Sequence, residues 1–233
     1  MNMLKIRASQ LSRLMTEPKL KADKDAGNLS ETAKTMIEEI WLKDKYGYRE
    51  VVSTDAMMKG LLCEQDILGL IHEVVGGEFR VKNTELFQND FIIGTPDIIL
   101  KKEDYDEDAK ASFNLRTFFE VEHRQGDNYW WQGQAYMWLT GKKNYRLIFG
   151  LVPTPESLIT SQKKRVWYQF ECDEENEDYI KASMQIEHNN KVISEIPAKE
   201  RVKVFEFAID NDAIEQVKIK HTKAVEYYNQ LTL

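Results

Sequence analysis

The chain has 233 residues, of which 42% are hydrophobic and 30% charged, and its net charge is −7. This composition is typical of a folded globular protein and excludes a disordered chain, and no apolar run approaches the roughly 20 residues of a membrane-spanning helix. The two cysteines, Cys63 and Cys172, are too few for a disulfide framework or a cysteine-rich metal cluster. With no recognisable signal peptide, we expect a cytoplasmic protein.

The negative net charge argues against a protein that coats nucleic acid through bulk charge. It does not argue against an enzyme that combines an acidic site with a local basic groove. Charge alone therefore leaves a nuclease among the candidate functions.

The first third of the chain predicts helices. Capping residues followed by apolar positions at helical spacing indicate helices over residues 8–16, 30–45 and 53–75, and residues 17–29 indicate a polar loop. The pair Gly76-Gly77 ends the last of these helices, because glycine readily adopts the left-handed conformation common just after a helix.

Strands follow in the middle of the chain. Enrichment in β-branched and aromatic residues predicts strands over residues 79–87, 91–100 and 115–123, separated by turns as in an antiparallel meander. The acidic stretch 101–114 predicts an exposed, mobile connection between two of them.

The remaining residues alternate between the two kinds of element. The pattern predicts a helix at 127–140, strands at 144–152 and 165–172, a helix at 174–195, a strand at 202–208 and a helix at 210–230. The whole order predicts the α/β (α+β) class, with a central mixed sheet flanked by helices. We expect one domain over residues 1–233, with its core at about 53–152.

Two carboxylates precede the predicted acidic strand. Glu64 shares the apolar stripe of its predicted helix with Leu68, where a buried carboxylate needs a partner or a metal ion, unless it lies half-exposed at the edge of the stripe. Asp97 follows Gly94-Thr95-Pro96 at the start of an apolar run, which fits either ordinary turn chemistry or a metal ligand.

Two further carboxylates, Glu120 and Glu122, alternate with apolar residues and so leave the same face of their predicted strand. Like charges side by side repel unless a cation lies near them, so the pair indicates either a metal site or a solvated edge strand. Gln132 and Tyr136 lie one turn apart on the following helix and share a face, which indicates either core packing or a polar wall of the site.

Taken in order, these segments resemble the PD-(D/E)XK nuclease superfamily, and within it the phage lambda exonuclease and RecB-like group. The matching segments are Gly60–Glu64, Gly94–Asp97, Glu120–Glu122 and Gln132–Tyr136. The opening Ala8-Ser9-Gln10-Leu11 is similar to the short N-terminal helix of phage exonucleases, and the resemblance covers residues 5–152.

The resemblance implies a restriction-endonuclease-like core and a metal-dependent deoxyribonuclease. It implies most specifically a phage-type exonuclease that digests the ends of linear double-stranded DNA in recombination or repair. It assigns Mg²⁺ or Mn²⁺, as one or two ions, to Glu64, Asp97, Glu120 and the carbonyl of Val121. Glu122, Gln132 and Tyr136 complete the implied catalytic set.

The resemblance also implies contacts with other molecules. Arg7 and Ser9 would hold a terminal phosphate of DNA, and His123 and Arg124 would reach the strand beyond it. The implied partners are DNA, a single-strand annealing recombinase and further copies of the chain, in the cytoplasm of a bacterium or a phage-infected host. No membrane partner is expected.

One position departs from the family pattern. The third motif should end in a lysine that orients the attacking water and offsets developing negative charge, and Glu122 stands in its place. Glu122 could act as a base or bind a metal ion, as in Glu-x-Glu forms among restriction endonucleases of the superfamily. Two alternatives to the exonuclease therefore stay open: an endonuclease of the same superfamily, and a catalytically impaired nuclease-fold protein that binds DNA.

Overall fold

The computed structural model describes residues 4–122, 127–170 and 175–233. The α-helices of these residues are α1 (Leu11–Met15), α2 (Lys21–Asp25), α3 (Glu31–Tyr46), α4 (Asp55–Leu62), α5 (Glu64–Val75), α6 (Leu115–Glu120), α7 (Asp127–Thr140), α8 (Glu156–Gln169), α9 (Glu177–Glu195) and α10 (Asn211–Gln230). The strands are β1 (Ile6–Arg7), β2 (Phe87–Gln88), β3 (Ile92–Gly94), β4 (Ile98–Ile99), β5 (Tyr105–Ala111), β6 (Asn144–Gly150) and β7 (Val202–Ala208). Short 3₁₀ helices precede α1 at Ala8–Gln10 and β7 at Ala198–Arg201.

A four-stranded mixed sheet carries the central layer, in the order β4-β5-β6-β7. Its β5 and β6 run parallel, and both outer pairs are antiparallel. A smaller mixed sheet has the order β1-β3-β2, with β1 parallel and β2 antiparallel to β3. The predicted fold class, a mixed sheet with helices against it, is confirmed.

Helices cover both faces of the larger sheet, with α7 on one face and α5 on the other. The residues of β6 alternate between two apolar cores, one on each face of the sheet, so both faces need a helix to cover them. Tyr145, Leu147 and Phe149 belong to the core beneath α7, whereas Ile148 packs with Ile67 and its neighbours on α5. A strand with apolar residues on both faces is typical of an inner strand covered on both sides.

Glycines allow both helices to approach the sheet closely. A Cβ atom at Gly133 of α7 would lie 2.7 Å from Cδ1 of Tyr145, and one at Gly150 of β6 would lie 2.8 Å from Cδ1 of Ile67. Real Cβ atoms do not come this close to other heavy atoms, so both positions depend on the missing side chain.

The N-terminal segment is held in place by the C-terminal helix. Lys220 of α10 donates hydrogen bonds to the carbonyls of Met15 and Thr16, at 3.1 and 3.0 Å. The next residue of α10, buried His221, has its Nε2 2.8 Å from the carbonyl oxygen of Leu4. These contacts fix β1, which in turn pairs with β3.

The structure corrects the predicted strands in the middle of the chain. The stretch 101–114, predicted to be an exposed connection, contains β5, an inner strand with fully buried acidic residues. Residues 115–120, predicted as a strand, form helix α6, because Asn114 and Thr117 make a reciprocal capping box at its start. The predicted antiparallel meander forms only in part, since β2 and β3 are antiparallel but β4 belongs to the other sheet and residues 115–120 are helical.

Other predicted boundaries move. The helix at 53–75 divides at Cys63, and the strand at 91–100 divides between two sheets around Pro96. Most of the strand predicted at 79–87 lies outside the observed strands, and the loop predicted at 17–29 contains α2. The strand predicted at 165–172 is helical as far as Gln169, where α8 ends, and residues 171–172 lie outside the described residues. The remaining predicted elements lie close to where they were expected. Within the described ranges, no helix is long and apolar enough to cross a membrane.

We predict that Gly133→Ala lowers the free energy of unfolding by about 1–3 kcal/mol, because its new methyl group overlaps the buried ring of Tyr145. Urea unfolding followed by circular dichroism measures this loss. The matched control is Gly69→Ala on α5, where a Cβ meets no atom within 4 Å, and helix propensity should add about 0.5–1 kcal/mol of stability. A Gly133→Ala variant as stable as the wild type would contradict the close approach of α7.

Candidate active site

The strand β5 carries an Asp-x-Lys sequence, Asp108-Ala109-Lys110, near its end. Side chains of Asp108 and Lys110 leave the same face of the strand because they are two residues apart. That face is covered by α7, and the Lys110 ammonium lies 6.0 Å from the ring centroid of Tyr129. The strand therefore places one carboxylate and one ammonium between the sheet and α7.

Asp97 joins them from the loop between β3 and β4. Its Oδ2 lies 3.3 Å from Nζ of Lys110, which also pairs with Oδ1 of Asp108. The loop is fixed by Asn83, whose backbone N–H donates to the carbonyl of Asp97 at 2.7 Å and whose side chain donates to the carbonyl of Pro96 at 3.0 Å. The two carboxylates thus share a single ammonium.

The two carboxylates differ in exposure. The side chain of Asp108 is 1% exposed, whereas that of Asp97 is 35% exposed and reaches the surface. Burial raises the pKa of Asp108 to about 7, against the opposing charge of Lys110. Burial also acts to raise the pKa of Asp97, but the neighbouring Asp108 carboxyl and the positive charge of Lys110 outweigh it and lower that pKa. Adjacent carboxyl groups separate their pKa values in this way when too little positive charge lies between them.

Lys110 stays protonated in this environment. Burial acts to lower its pKa, but the charges of Asp108 and Asp97 outweigh burial and raise the pKa above its usual value. The ammonium is therefore a permanent positive charge beside two carboxylates at neutral pH.

The donor set fits a hard divalent cation. Oδ2 of Asp108 is buried and makes no hydrogen bond of normal geometry with a described residue, although the buried hydroxyl of Tyr145 lies near this carboxyl group. Carboxylate oxygens with free lone pairs are the ligands that Mg²⁺ and Mn²⁺ prefer, with water completing the coordination. Among the described residues, the side chains form no ready group of three or more acidic, histidine or cysteine ligands, so water or backbone carbonyls would supply the remaining ligands.

Glu64 lies at the rim of the same site. It begins α5, and its half-buried carboxylate pairs with Lys82. Together with Asp97 these side chains line a small cavity of about 40 Å³, whose remaining walls are largely apolar. The structure therefore places Glu64 at the edge of its apolar stripe and supplies it with a cationic partner.

Gln132 and Tyr136 of α7 form the opposite wall of the Asp108–Lys110 pair. Nε2 of Gln132 donates a hydrogen bond to the hydroxyl of Tyr136 at 2.9 Å. Burial raises the pKa of Tyr136 to about 12, and the nearby charge of Asp108 acts in the same direction. The hydroxyl of Tyr136 thus stays protonated at neutral pH and can donate a hydrogen bond.

The predicted ligands at 120–122 lie elsewhere. Glu120 is on helix α6 and its carboxylate accepts a hydrogen bond from Nε of Arg116 at 3.2 Å, Val121 is the C-cap of that helix, and Glu122 lies 3.3 Å from Nζ of Lys203. The premise for this part of the metal site was a strand with both carboxylates on one face, and that premise is wrong. The capping box at Asn114 starts a helix there instead.

The structure describes only some of the residues predicted to contact DNA. Exposed Arg7 lies on β1, and Ser9 follows in the 3₁₀ helix. This segment is close to the Asp97 loop, because a Cβ at Gly94 would lie 2.9 Å from Cβ of Ala8 and 3.0 Å from Cε1 of Tyr136. His123 and Arg124 lie outside the described residues.

Sequence reasoning missed Asp108 and Lys110. The signal that could have found them is an Asp-x-Lys sequence a short distance after Pro96-Asp97, which matches the third motif of the superfamily without any departure. The lysine sought at position 122 is therefore present at position 110, on the strand that pairs with β4.

The solved structures similar to this chain include exonucleases. A phage-related exonuclease from Haemophilus somnus 129PT is 28% identical, with a TM-score of 0.77 over 97% of this chain and 94% of that one. The alkaline exonuclease LHK-Exo from Laribacter hongkongensis is 12% identical, with a TM-score of 0.63 over 97% and 88% of the two chains. The same enzyme in complex with dAMP gives 14% identity and a TM-score of 0.62.

No protein-family model and no curated protein matches the chain. The structural matches nevertheless cover nearly its whole length. The resemblance to the phage-exonuclease group of the PD-(D/E)XK nucleases is therefore confirmed.

We predict that Arg80→Met lowers the free energy of unfolding by about 3–5 kcal/mol, because it removes both hydrogen bonds of the guanidinium to buried Glu107 and leaves, among the described residues, only Arg146, 4.0 Å away, as a cation for that carboxylate. In the wild type the guanidinium of Arg80 donates two hydrogen bonds to Glu107, at 2.6 and 3.0 Å, and both side chains are almost fully buried. Urea unfolding measures the change. Arg116→Met is the control, since that arginine is 82% exposed and its pair with Glu120 should contribute about 0–1 kcal/mol. Equal losses of stability in Arg80→Met and Arg116→Met would contradict the conclusion that the buried Arg80–Glu107 pair stabilises β5.

Proposed function

We propose that this chain is a metal-dependent deoxyribonuclease of the phage exonuclease type, which digests linear double-stranded DNA from its ends. The observation that carries the proposal is the convergence of Asp97, Asp108 and Lys110 in a fold shared with phage-related and alkaline exonucleases. The dAMP complex of the alkaline exonuclease supports DNA as the substrate.

Asp97 and Asp108 would hold Mg²⁺ or Mn²⁺, and Glu64, which lines a cavity with Asp97 but forms no ready ligand group with the two aspartates, would complete the site or assist a second ion after its side chain turns. A bound ion would lower the pKa of the attacking water and offset negative charge on the phosphate. The buried Oδ2 of Asp108 supports this assignment, because a buried acceptor without a hydrogen bond of normal geometry needs a cation or water.

The residues of the chain supply the remaining functions. Lys110 would orient the attacking water and stabilise negative charge that develops on the phosphate, since its ammonium stays protonated beside the carboxylates. Tyr136, held by Gln132, would donate its hydroxyl to the same region. Both groups are held between sheet and helix, so little reorganisation is needed during reaction.

Arg7 and Ser9 would bind a terminal phosphate of the DNA. Their segment lies against the Asp97 loop and α7, and this proximity supports the assignment. A terminal-phosphate site next to the catalytic carboxylates is the arrangement that an exonuclease needs. We further propose that the enzyme works in recombination or repair in a bacterial or phage-infected cytoplasm, beside a single-strand annealing recombinase and as an oligomer of this chain.

Lys110 weakens the case for the two alternatives. The catalytically impaired binding protein was proposed because Glu122 occupies the lysine position, and the Glu-x-Glu form slightly favoured the endonuclease. The ammonium of Lys110 beside both carboxylates supports a catalytically active nuclease.

We predict metal-dependent loss of a 5′-phosphorylated linear duplex in Mg²⁺ or Mn²⁺, no loss with chelator, and no cutting of a closed circle. Gel electrophoresis of both substrates over time measures the activity. Cutting of the circle would contradict the exonuclease in favour of an endonuclease. Failure to degrade either substrate would contradict the nuclease function.

We predict that Asp108→Asn lowers the rate of linear-duplex degradation by on the order of 100-fold or more, because it removes a metal ligand. Glu122→Gln should stay within about twofold of the wild type, since Glu122 pairs with Lys203 and is 56% exposed. The comparison separates the two assignments of the third motif. A greater loss in Glu122→Gln than in Asp108→Asn would restore the assignment to residues 120–122.

A further inference from the structure

A second lysine, Lys82, lies at the rim of the site and has no part in the mechanism above. Its ammonium pairs with the carboxylate of Glu64, and its charge also lowers the pKa of Asp97. The backbone of Lys82 is fixed beside Asp97, because it forms a β-bridge with Ile98. The backbone of Lys82 is therefore held in place, whereas among the described residues its ammonium is held only by the partly exposed pair with Glu64.

The charges around the site alternate in sign. Lys82 pairs with Glu64 and lines the same cavity as Asp97, on whose carboxylate its charge acts, and Lys110 pairs with both Asp97 and Asp108. Each carboxylate that we assign to a metal ion is therefore in contact with an ammonium in the metal-free protein. Since cations compete for the same oxygens, metal binding must loosen some of these contacts.

Lys82 and Lys110 differ in how easily each can leave its carboxylate partners. Lys110 has two carboxylate partners and a side chain that is 25% exposed. Lys82 has one carboxylate partner among the described ion pairs and a side chain that is 45% exposed, beside Glu64 at 34%. Lys82 can therefore leave Glu64 and turn towards solvent without leaving a buried charge behind.

We propose that Lys82 has two successive roles: it holds Glu64 in the metal-free protein, and it binds a phosphate of the DNA backbone once Glu64 turns to the metal ion. This inference rests on the proposed function. The cavity lined by Glu64, Lys82 and Asp97 makes the exchange local, because a short movement of either side chain separates the pair. Substrate binding would then gain a cation that the free protein keeps paired.

The first test is metal affinity without DNA, measured by titration calorimetry with Mn²⁺. Lys82→Met should bind Mn²⁺ about two- to five-fold more tightly than the wild type, because a competing ammonium is removed. The control is Lys34→Met on α3, which breaks a lysine–glutamate pair with Glu31, a more exposed carboxylate than Glu64, and should leave Mn²⁺ affinity unchanged. Equal or weaker Mn²⁺ binding by Lys82→Met would overturn the first role.

The second test is DNA affinity in a Lys110→Met background, which we expect to be inactive. With Mn²⁺ present, Lys82→Met should weaken binding of a 5′-phosphorylated duplex by about three- to ten-fold in fluorescence anisotropy. It should also reduce the slope of log affinity against log salt by about one, whereas Lys82→Arg should retain both. If Lys82→Met binds the duplex as tightly as Lys34→Met does in the same Lys110→Met background, the proposed binding of a DNA phosphate by Lys82 is wrong.

The two proposals fail in different ways. If the wild type degrades linear duplex and Lys82→Met matches Lys34→Met in both tests, the role of Lys82 is wrong and the nuclease function stands. If the wild type degrades no DNA, the nuclease function is wrong, and the role of Lys82 as a substrate contact is overturned with it.

Discussion

Burial of three consecutive acidic residues in an inner strand is the constraint on which the rest of the structure depends. Asp106, Glu107 and Asp108 of β5 are all fully buried. A buried charge without a partner costs several kcal/mol, so the strand depends on cations supplied to its carboxylates. Arg80 pairs with Glu107 and Lys110 pairs with Asp108, whereas both oxygens of Asp106 are buried and make no hydrogen bond of normal geometry with a described residue, and burial raises the pKa of that carboxyl group.

This compensation also builds the site. Because side chains alternate along a strand, Glu107 faces away from α7 and serves stability, whereas Asp108 and Lys110 face α7 and remain near solvent through Asp97. Gly133 lets α7 pack directly on Tyr145, which brings Tyr136 beside the charged pair. Structural ion pairs and the proposed catalytic groups are therefore neighbours on one strand, separated only by the face that each occupies.

The site is electrostatically incomplete as the chain alone supplies it. The carboxyl group of Asp108 keeps a buried oxygen without a hydrogen bond of normal geometry, and burial, assisted by the neighbouring Asp97, raises its pKa despite the charge of Lys110. A divalent cation would supply further positive charge, which supports the proposal of a metal-dependent enzyme. The fold of phage-related and alkaline exonucleases gives this arrangement its most direct interpretation.

The sequence by itself determined the fold class, most of the helices, the Asp97 loop, Glu64 and the Gln132–Tyr136 pair, since local periodicity and short motifs encode them. Only the tertiary structure decided that β5 is a strand and that Glu120 lies on helix α6, where it pairs with Arg116. An acidic stretch predicts a solvated loop because burying carboxylates is costly, and local composition cannot reveal a distant compensating cation. Arg80 precedes Glu107 by 27 residues, so the partner that makes the strand possible is supplied only by folding.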